Sequence, residues 1–291
     1  MRARVTLQLP RAPRDPLGLE PPGWRVLFLG EGYVAARLRP RLEALGARVE
    51  ASGRDGPMAL ERPALHRAFA RATHVLCSIP PGRAGDGLDP ALRALEGSHT
   101  GARFVGYLSA TSVYGDRAGG WAFEGEAPTP GLARGRARAA AEIAWLERHP
   151  QTELFRLAGI YGPGRAPFSR LRNGTARVVD APGHVVNRIH VDDIVGALLL
   201  AMGRPCAGDI LNLADGAPAP PGDVLDCAAR LLKVDPPPRV ALHDASVSDM
   251  ARSFYAESKR VDVRRARERL GWEPRYAGYA RGLAATLAQD A

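Results

Sequence analysis

The sequence predicts an α/β fold: a doubly wound parallel sheet with helices on both faces, followed by a smaller C-terminal cap. Three observations carry this expectation. Apolar runs of strand length alternate with segments of helical periodicity through the first half of the chain. The first run, Trp24-Arg25-Val26-Leu27-Phe28-Leu29, ends abruptly at Gly30-Glu31-Gly32, and a helical pattern follows with Val34, Leu38, Leu42 and Leu45 on one face. Beyond about residue 165 the alternation gives way to shorter, less regular pieces.

The opening unit is a strand, a glycine turn, a helix and a second strand over residues 47–52. Gly30 lets the chain leave the strand in a tight turn. Gly32 has no Cβ, so the backbone can approach a pyrophosphate closely. The helix starting near Tyr33 and Val34 aims unpaired N–H groups at such an anion, and Ala35 takes the small position where helix and strand pack. Gly30, Gly32, Tyr33 and Val34 are therefore candidate dinucleotide-binding residues.

A helix is expected over residues 57–71, with Leu60, Ala64, Leu65, Ala68 and Phe69 on one face. The buried strand beginning at His74 ends in a rigid loop, because Pro80 and Pro81 cannot continue a sheet ladder. Leu88, Leu92 and Leu95 mark the next helix, and residues 103–109 the next strand. Residues 116–133 are rich in Gly and Pro and read as a loop; a helix over about 136–148 and a strand over 153–160 follow. Right-handed crossovers put every strand's carboxyl end on one edge, beside the glycine turn. Later come a hairpin-like piece over 175–187, helices over 192–202, 221–232, 260–270 and 279–287, and a return to the sheet at 209–213. The expected organisation is a Pro/Arg-rich extension over 1–22, in which 5–9 is strand-like, a dinucleotide-binding domain over 23–165, and a substrate-binding cap over 166–291. The cap is interleaved with returns to the sheet near 187–214.

The hydrophobic fraction of 45% is ordinary for a globular chain. The net charge of +9 invites a nucleic-acid partner, yet all but two of the 40 basic residues are arginines spread along the chain rather than gathered in a run. Charge alone speaks to non-specific attraction, so a nucleic-acid or scaffold role ranks last. The three cysteines, Cys77, Cys206 and Cys227, have no metal or disulfide spacing and read as buried free thiols in a reducing compartment. None of the seven histidines has metal-ligand spacing, so no metal is expected. The N-terminal arginines precede no continuous apolar segment, and the longest apolar helical run, residues 195–202, is too short to span a bilayer. The expectation is a cytoplasmic protein with no membrane partner.

Several spaced motifs agree with one family. Gly30-Glu31-Gly32-Tyr33-Val34-Ala35, Ser112-Val113-Tyr114-Gly115-Asp116 and Arg156-Leu157-Ala158-Gly159-Ile160-Tyr161-Gly162-Pro163-Gly164 come first. Asn187-Arg188-Ile189-His190-Val191-Asp192-Asp193 and Leu270-Gly271-Trp272-Glu273-Pro274 follow. In this order they resemble the extended short-chain dehydrogenase/reductases, the NAD-dependent epimerase/dehydratase group, from about residue 24 onward. The resemblance implies a Rossmann fold, a nicotinamide cofactor and a catalytic Ser/Thr with a Tyr-x-x-x-Lys pair. Here Ala110 falls at the Ser/Thr position, Arg134 at the Tyr position and Arg138 at the Lys position. A guanidinium stays protonated, so Arg134 can stabilise an oxyanion but cannot cycle a proton near neutral pH. Arg138 retains the capacity to bond a ribose or phosphate.

Ser109, Thr111, Ser112 and Tyr114 sit where the resembled family does its chemistry, and with Arg134 and Arg138 they are the candidate catalytic residues. In that family the tyrosine matching Tyr114 packs structurally. Tyr161 and Tyr255 are candidates from the cap side. His190 reads as a satisfied buried histidine, and Asp192 and Asp193 as caps of the following helix. For the cofactor, Ser52 and Arg54 lie about 20 residues past the glycine turn, where the adenosine ribose is selected. They suit a 2′-phosphate, although Asp55 points the other way, and NADP is favoured over NAD. By the resemblance, Ser78, Ile79 and Pro80 line the adenosine-ribose side. Leu108, Ser109, Arg138, Gly159 and Ile160 complete the cofactor-binding set.

Two readings follow. The first is an NAD(P)-dependent oxidoreductase or epimerase/dehydratase with a rearranged acid/base, acting on a small carbonyl or hydroxyl compound, a sugar-like one among the candidates. The second is a binding protein that senses dinucleotide without turnover. A homodimer through two packed helices goes with the resemblance, while the sequence itself leaves oligomeric state open.

Overall fold

Val26, Leu27, Phe28 and Leu29 are apolar without a break, the pattern of a strand covered on both faces. The computed structural model, which describes residues 23–53, 62–82 and 89–290, has this architecture. In chain order the elements are β1 (Arg25–Leu29), α1 (Tyr33–Ala44), β2 (Arg48–Ser52), α2 (Arg62–Arg71), β3 (His74–Cys77), α3 (Pro90–Ala94), β4 (Phe104–Ala110), β5 (Trp121–Ala122), α4 (Ala133–Arg148), β6 (Glu153–Leu157) and β7 (Gly159–Tyr161). The second half adds α5 (Phe168–Arg172), β8 (Val178–Asp180), β9 (Arg188–His190), α6 (Val191–Gly203), β10 (Ile210–Leu213), α7 (Pro221–Leu232), β11 (Arg239–Ala241), α8 (Asp249–Tyr255), β12 (Arg260–Val261), α9 (Arg264–Leu270) and α10 (Tyr279–Gln289).

Six strands form one parallel sheet in the order β2-β1-β3-β4-β6-β10. Side-chain alternation divides its apolar residues between two cores. Val26 and Phe28 of β1, Phe104 and Leu108 of β4 and Phe155 of β6 pack with the apolar faces of α1 and α6. Leu27, Leu29, Val105, Tyr107 and Leu154 point the other way, against Leu65 and Phe69 of α2, Ala91 of α3 and Trp145 of α4. A third core, with Phe168, Leu171, Val224, Ala228 and Leu283, holds α5, α7 and α10 together. Among the described residues no helix is long and apolar enough to cross a membrane.

The strand order matters for function. The chain leaves β1 toward β2 on one side, then returns to place β3 on the other. The order therefore reverses between β1 and β3, and a crevice opens beyond their carboxyl ends, the usual ligand position in such sheets.

Several expected elements differ. Residues 175–187 form no hairpin: β8 pairs in parallel with β11, and β9 in parallel with β7. The turn closed by His184 N to Ala181 O looks like a hairpin locally, but both flanking strands find distant partners. The strand over 153–160 is broken at Ala158, whose N–H bonds Leu213 O as the chain leaves the main sheet. The helix over 260–270 begins only at Arg264. Arg260 and Val261 pair instead with Trp121 and Ala122, placing a short strand inside the expected 116–133 loop, and the Asp262 carboxylate accepts from Arg264 N where the helix starts. His190, not an aspartate, caps α6, its Nδ1 accepting from Asp192 N. Asp193 instead accepts from Arg275 N and Tyr276 N, and Asp192 faces Arg37. Cys77 and Cys227 are buried, whereas Cys206 is half-buried. The strand-like residues 5–9 lie outside the described residues.

Candidate functional site

Gly30 has φ +86°, a conformation suited to glycine, and a Cβ there would lie 2.8 Å from Ile79 Cγ1. The turn is tied on both sides of the switch point. Gly30 N donates to Ser52 O at 2.6 Å, Ser78 N to Leu29 O at 2.8 Å, and Ser78 Oγ to Gly30 O at 2.9 Å. Gly32 is different: among the described residues a Cβ there would meet nothing nearer than Ser78 Oγ at 4.0 Å. That side of the turn is open. Gly32 is also the N-cap of α1 and brings no capping side chain for the first-turn N–H groups, which the helix itself leaves without acceptors. Glu31, an acid within the turn, is drawn away by Arg39, which takes both carboxylate oxygens and also bonds Val49 O. These features suit an anion at the turn.

The other expected cofactor residues surround this crevice in different ways. Tyr33 Oη donates to Pro163 O at 2.9 Å, and the Arg165 guanidinium stacks 4.2 Å above its ring, tying the glycine turn to the loop after β7. The Val34 side chain is buried in the core and leaves only its backbone for a ligand. Ser52 is buried at the end of β2. Ile79 is half-buried and Pro80 exposed on the far wall. Arg138 Nη1 donates to Tyr107 Oη at 3.0 Å and to Leu108 O at 2.9 Å, at the end of β4. Arg54 lies outside the described residues.

Beyond β4 and β6 a cleft of about 470 Å³ opens between sheet and cap. Thr111, Ser112, Arg134 and Gly159 line it. The Arg134 guanidinium is anchored from the cap: Nη1 donates to Ser253 Oγ at 2.6 Å, Nη2 to Ser253 O at 2.9 Å, and it sits 4.6 Å above the Phe254 ring. A second cavity of about 740 Å³ shares Gly159, Arg188 and Tyr255 with the first. Arg165, Arg170, Arg177 and Arg188 line it, and among the described residues no carboxylate does.

Two candidates fall elsewhere. Ser109 is 3% exposed and donates to Glu142 Oε1 in the interior, because its place on β4 turns it to the face covered by α4. Tyr114 is fully buried and donates to Asn212 Oδ1 at 2.8 Å, with the Arg156 guanidinium 4.8 Å above its ring. Both belong to a polar network under the sheet edge rather than to the cleft. Tyr161 lines the cap cavity with its Oη buried and, among the described residues, without a partner, and Tyr255 lines both cavities. His190 is buried, with Nε2 3.2 Å from Thr286 Oγ1. Among the described residues no group of three or more His, Cys, Asp or Glu is arranged to hold a metal ion.

Three cleft residues, His184, Glu257 and Lys259, belong to none of the sequence motifs. One signal was present. Lys259 is one of only two lysines in a chain that otherwise uses arginine, and lysine is the cation that can titrate.

The switch-point crevice, the glycine turn and the cap beyond it define a Rossmann-type α/β protein with the architecture of the epimerases and dehydratases. No protein-family model matches the chain. A conserved protein of unknown function from Silicibacter pomeroyi is 39% identical and superimposes over 91% of this chain and 98% of its own, with a TM-score of 0.80. The chain belongs to the family of that protein. It is 34% identical over 180 residues to Protein YeeZ of Escherichia coli K12, a match over 58% of this chain that spans only 63% of YeeZ. MoeE5, solved in complex with UDP-glucose and NAD, shares the fold at 24% identity and a TM-score of 0.72, over 91% of this chain and 97% of its own.

Proposed function

We propose that the chain binds a pyridine dinucleotide, NADP in preference to NAD, and acts as an oxidoreductase or epimerase/dehydratase with a non-standard acid/base. The observation that carries this reading is the open face of Gly32 beside the tied Gly30 turn and the uncapped start of α1. Gly30, Gly32 and the backbone of Tyr33 and Val34 would hold the pyrophosphate. Ser52 and Arg54 would meet the adenosine ribose, with Ser78, Ile79 and Pro80 on the opposite wall. Leu108, Arg138, Gly159 and Ile160 would flank the nicotinamide end. When bound, the nicotinamide supplies hydride transfer. Thr111 and Ser112 line the cleft and would offer hydroxyls there, and Arg134 would offer a fixed positive charge for a developing oxyanion.

The substrate is a small carbonyl or hydroxyl compound, sugar-like in the manner of the UDP-glucose held by MoeE5. Four arginines, with no acid beside them among the described residues of the cap cavity, support a substrate that carries negative charge, phosphate or carboxylate. A homodimer remains part of the proposal by resemblance. The untitratable guanidinium at 134 favours a second reading, a dinucleotide sensor without turnover.

Gly32→Asp tests the placement. A Cβ at Gly32 meets nothing nearer than 4.0 Å among the described residues, so the variant is expected to fold yet to put a carboxylate against the pyrophosphate; calorimetry is expected to show loss of NADPH binding. Retained affinity overturns the site. Absorbance loss from NADPH over a panel of carbonyl compounds separates enzyme from sensor.

A further inference from the structure

The cleft beyond β4 and β6 holds a charged pair that no sequence motif marks. Lys259 Nζ lies 3.0 Å from Glu257 Oε2, and the two side chains are only 9% and 6% exposed. Both line the cleft that Thr111, Ser112 and Arg134 also line. Among the described residues, Glu257 keeps its second oxygen, Oε1, buried and without a partner, and His184 Nε2 on the same cleft is likewise unpartnered. A buried ion pair is weak evidence of a stabilising role, because desolvating two charges offsets their attraction. Such a pair against a cavity wall, with acceptor capacity unused, has the character of a working site.

The backbone around the pair is fixed from three directions. Asp116 Oδ1 accepts from Ser258 N at 2.8 Å, and Ser258 O accepts from Arg117 N at 3.0 Å and Gly119 N at 2.9 Å. Asn187 Nδ2 donates to Lys259 O at 2.9 Å. Lys259 is therefore not a loose surface lysine; the loop after β4 and the segment before β9 hold it at the cleft.

Burial is the main influence on the Lys259 ammonium and holds its pKa below the usual lysine range, against the opposing pull of Glu257. Asp116 also favours the ammonium, whereas Arg134 from α4 opposes it. His184, from the segment before β9, is the other titratable group in reach of its charge. A lysine so placed can release and regain a proton where arginine cannot.

Resting on the dinucleotide-enzyme reading above, we propose that Lys259 is the proton donor and acceptor for the substrate oxygen, oriented by Glu257, with Arg134 as the fixed charge that holds the oxyanion. In the reducing direction the carbonyl carbon receives a hydride from a reduced pyridine nucleotide, which is oxidised. The substrate oxygen takes a proton from Nζ: an N–H bond breaks and the O–H bond of the alcohol forms. The neutral amine then regains a proton from water. Oxidation of an alcohol runs these transfers in reverse.

The composition makes the test direct. Lysine carrying ¹³C at Cε gives two side-chain signals in the intact protein, from Lys233 and Lys259, and removing one lysine assigns them. The Lys259 signal is expected to titrate below the usual lysine range and to shift on addition of NADPH. Lys259→Met is expected to bind NADPH normally by calorimetry and to lose carbonyl turnover by about a hundredfold or more, and Lys259→Arg not to restore it. Where the Met variant does not fold, the titration of the native chain carries the test. Lys259 titrating within the usual lysine range, or full turnover by Lys259→Met, overturns the assignment and leaves the dinucleotide reading intact. NADPH binding without turnover across the panel overturns the assignment in favour of the sensor. A wild-type chain that binds no pyridine nucleotide overturns both.

Discussion

The Arg156 guanidinium and the Glu142 carboxylate meet in the interior, Nη2 to Oε2 at 2.7 Å and Nε to Oε1 at 3.0 Å. They are 2% and 3% exposed and join β6 to α4 directly beneath the edge where the cleft opens. Ser109 bonds the same carboxylate, and Tyr114 lies under the same guanidinium. This pair explains why two residues at the expected reaction centre face inward. It also sets the first prediction. Glu142→Gln leaves a buried guanidinium without its countercharge and is expected to cost about 3 kcal/mol or more of stability. A fall in the denaturation midpoint with unchanged slope is the measurement, and an unchanged midpoint would show that the pair carries nothing.

Ser109→Ala separates structure from chemistry. The hydroxyl donates to a buried charged carboxylate, so its loss is expected to cost about 1.5–3 kcal/mol. NADPH affinity and turnover are expected to stay at the native level, because the side chain does not reach the cleft. A variant that is fully stable but inactive would return Ser109 to the reaction centre.

Gly30→Ala places a Cβ 2.8 Å from Ile79 Cγ1 in a backbone with φ +86°. The left-handed conformation and the overlap together are expected to cost about 2–4 kcal/mol. Thermal denaturation checks the loss. A melting temperature equal to that of the native chain would mean that the turn rearranges freely.

Arg54→Ala addresses cofactor choice. If Arg54 grips a 2′-phosphate, the variant is expected to lose about 1.5–3 kcal/mol of NADP affinity while NAD affinity hardly changes. Paired calorimetric titrations decide it; equal losses for both nucleotides would sink the preference for NADP.

Glu153 supplies a pH dependence with a definite sign. Burial pushes its carboxyl from 4.5 up to about 7, with Cys206 N as its hydrogen-bond donor. The folded state thus favours the neutral acid, while the unfolded chain ionises it from about pH 4.5. Stability contributed below that point is lost as the pH rises toward 7. Glu153→Gln keeps the acceptor for Cys206 N and cannot ionise. It is expected to raise the melting temperature relative to the native chain more at pH 8 than at pH 5. Equal differences at the two pH values would remove Glu153 as the cause.

Local spacing was enough for the sheet and its turn. Val26 to Leu29, Gly30 and the Val34-Leu38-Leu42 face are each legible because strand and helix periodicities act over a few residues. The position of Gly32 at an open helix start follows from the same short range. What tertiary structure alone decided is convergence. Ser109 and Thr111 are two residues apart, yet one meets Glu142 inside and the other lines the cleft. β8 and β9 flank a turn but pair with β11 and β7 instead of each other. Lys259 and Glu257 come from a segment with no motif and reach the cleft because Asp116 and Asn187, distant in sequence, bind its backbone. Burial, ion pairing and a shared cavity are properties of space between distant segments. The amino-acid order specifies them only through the completed fold.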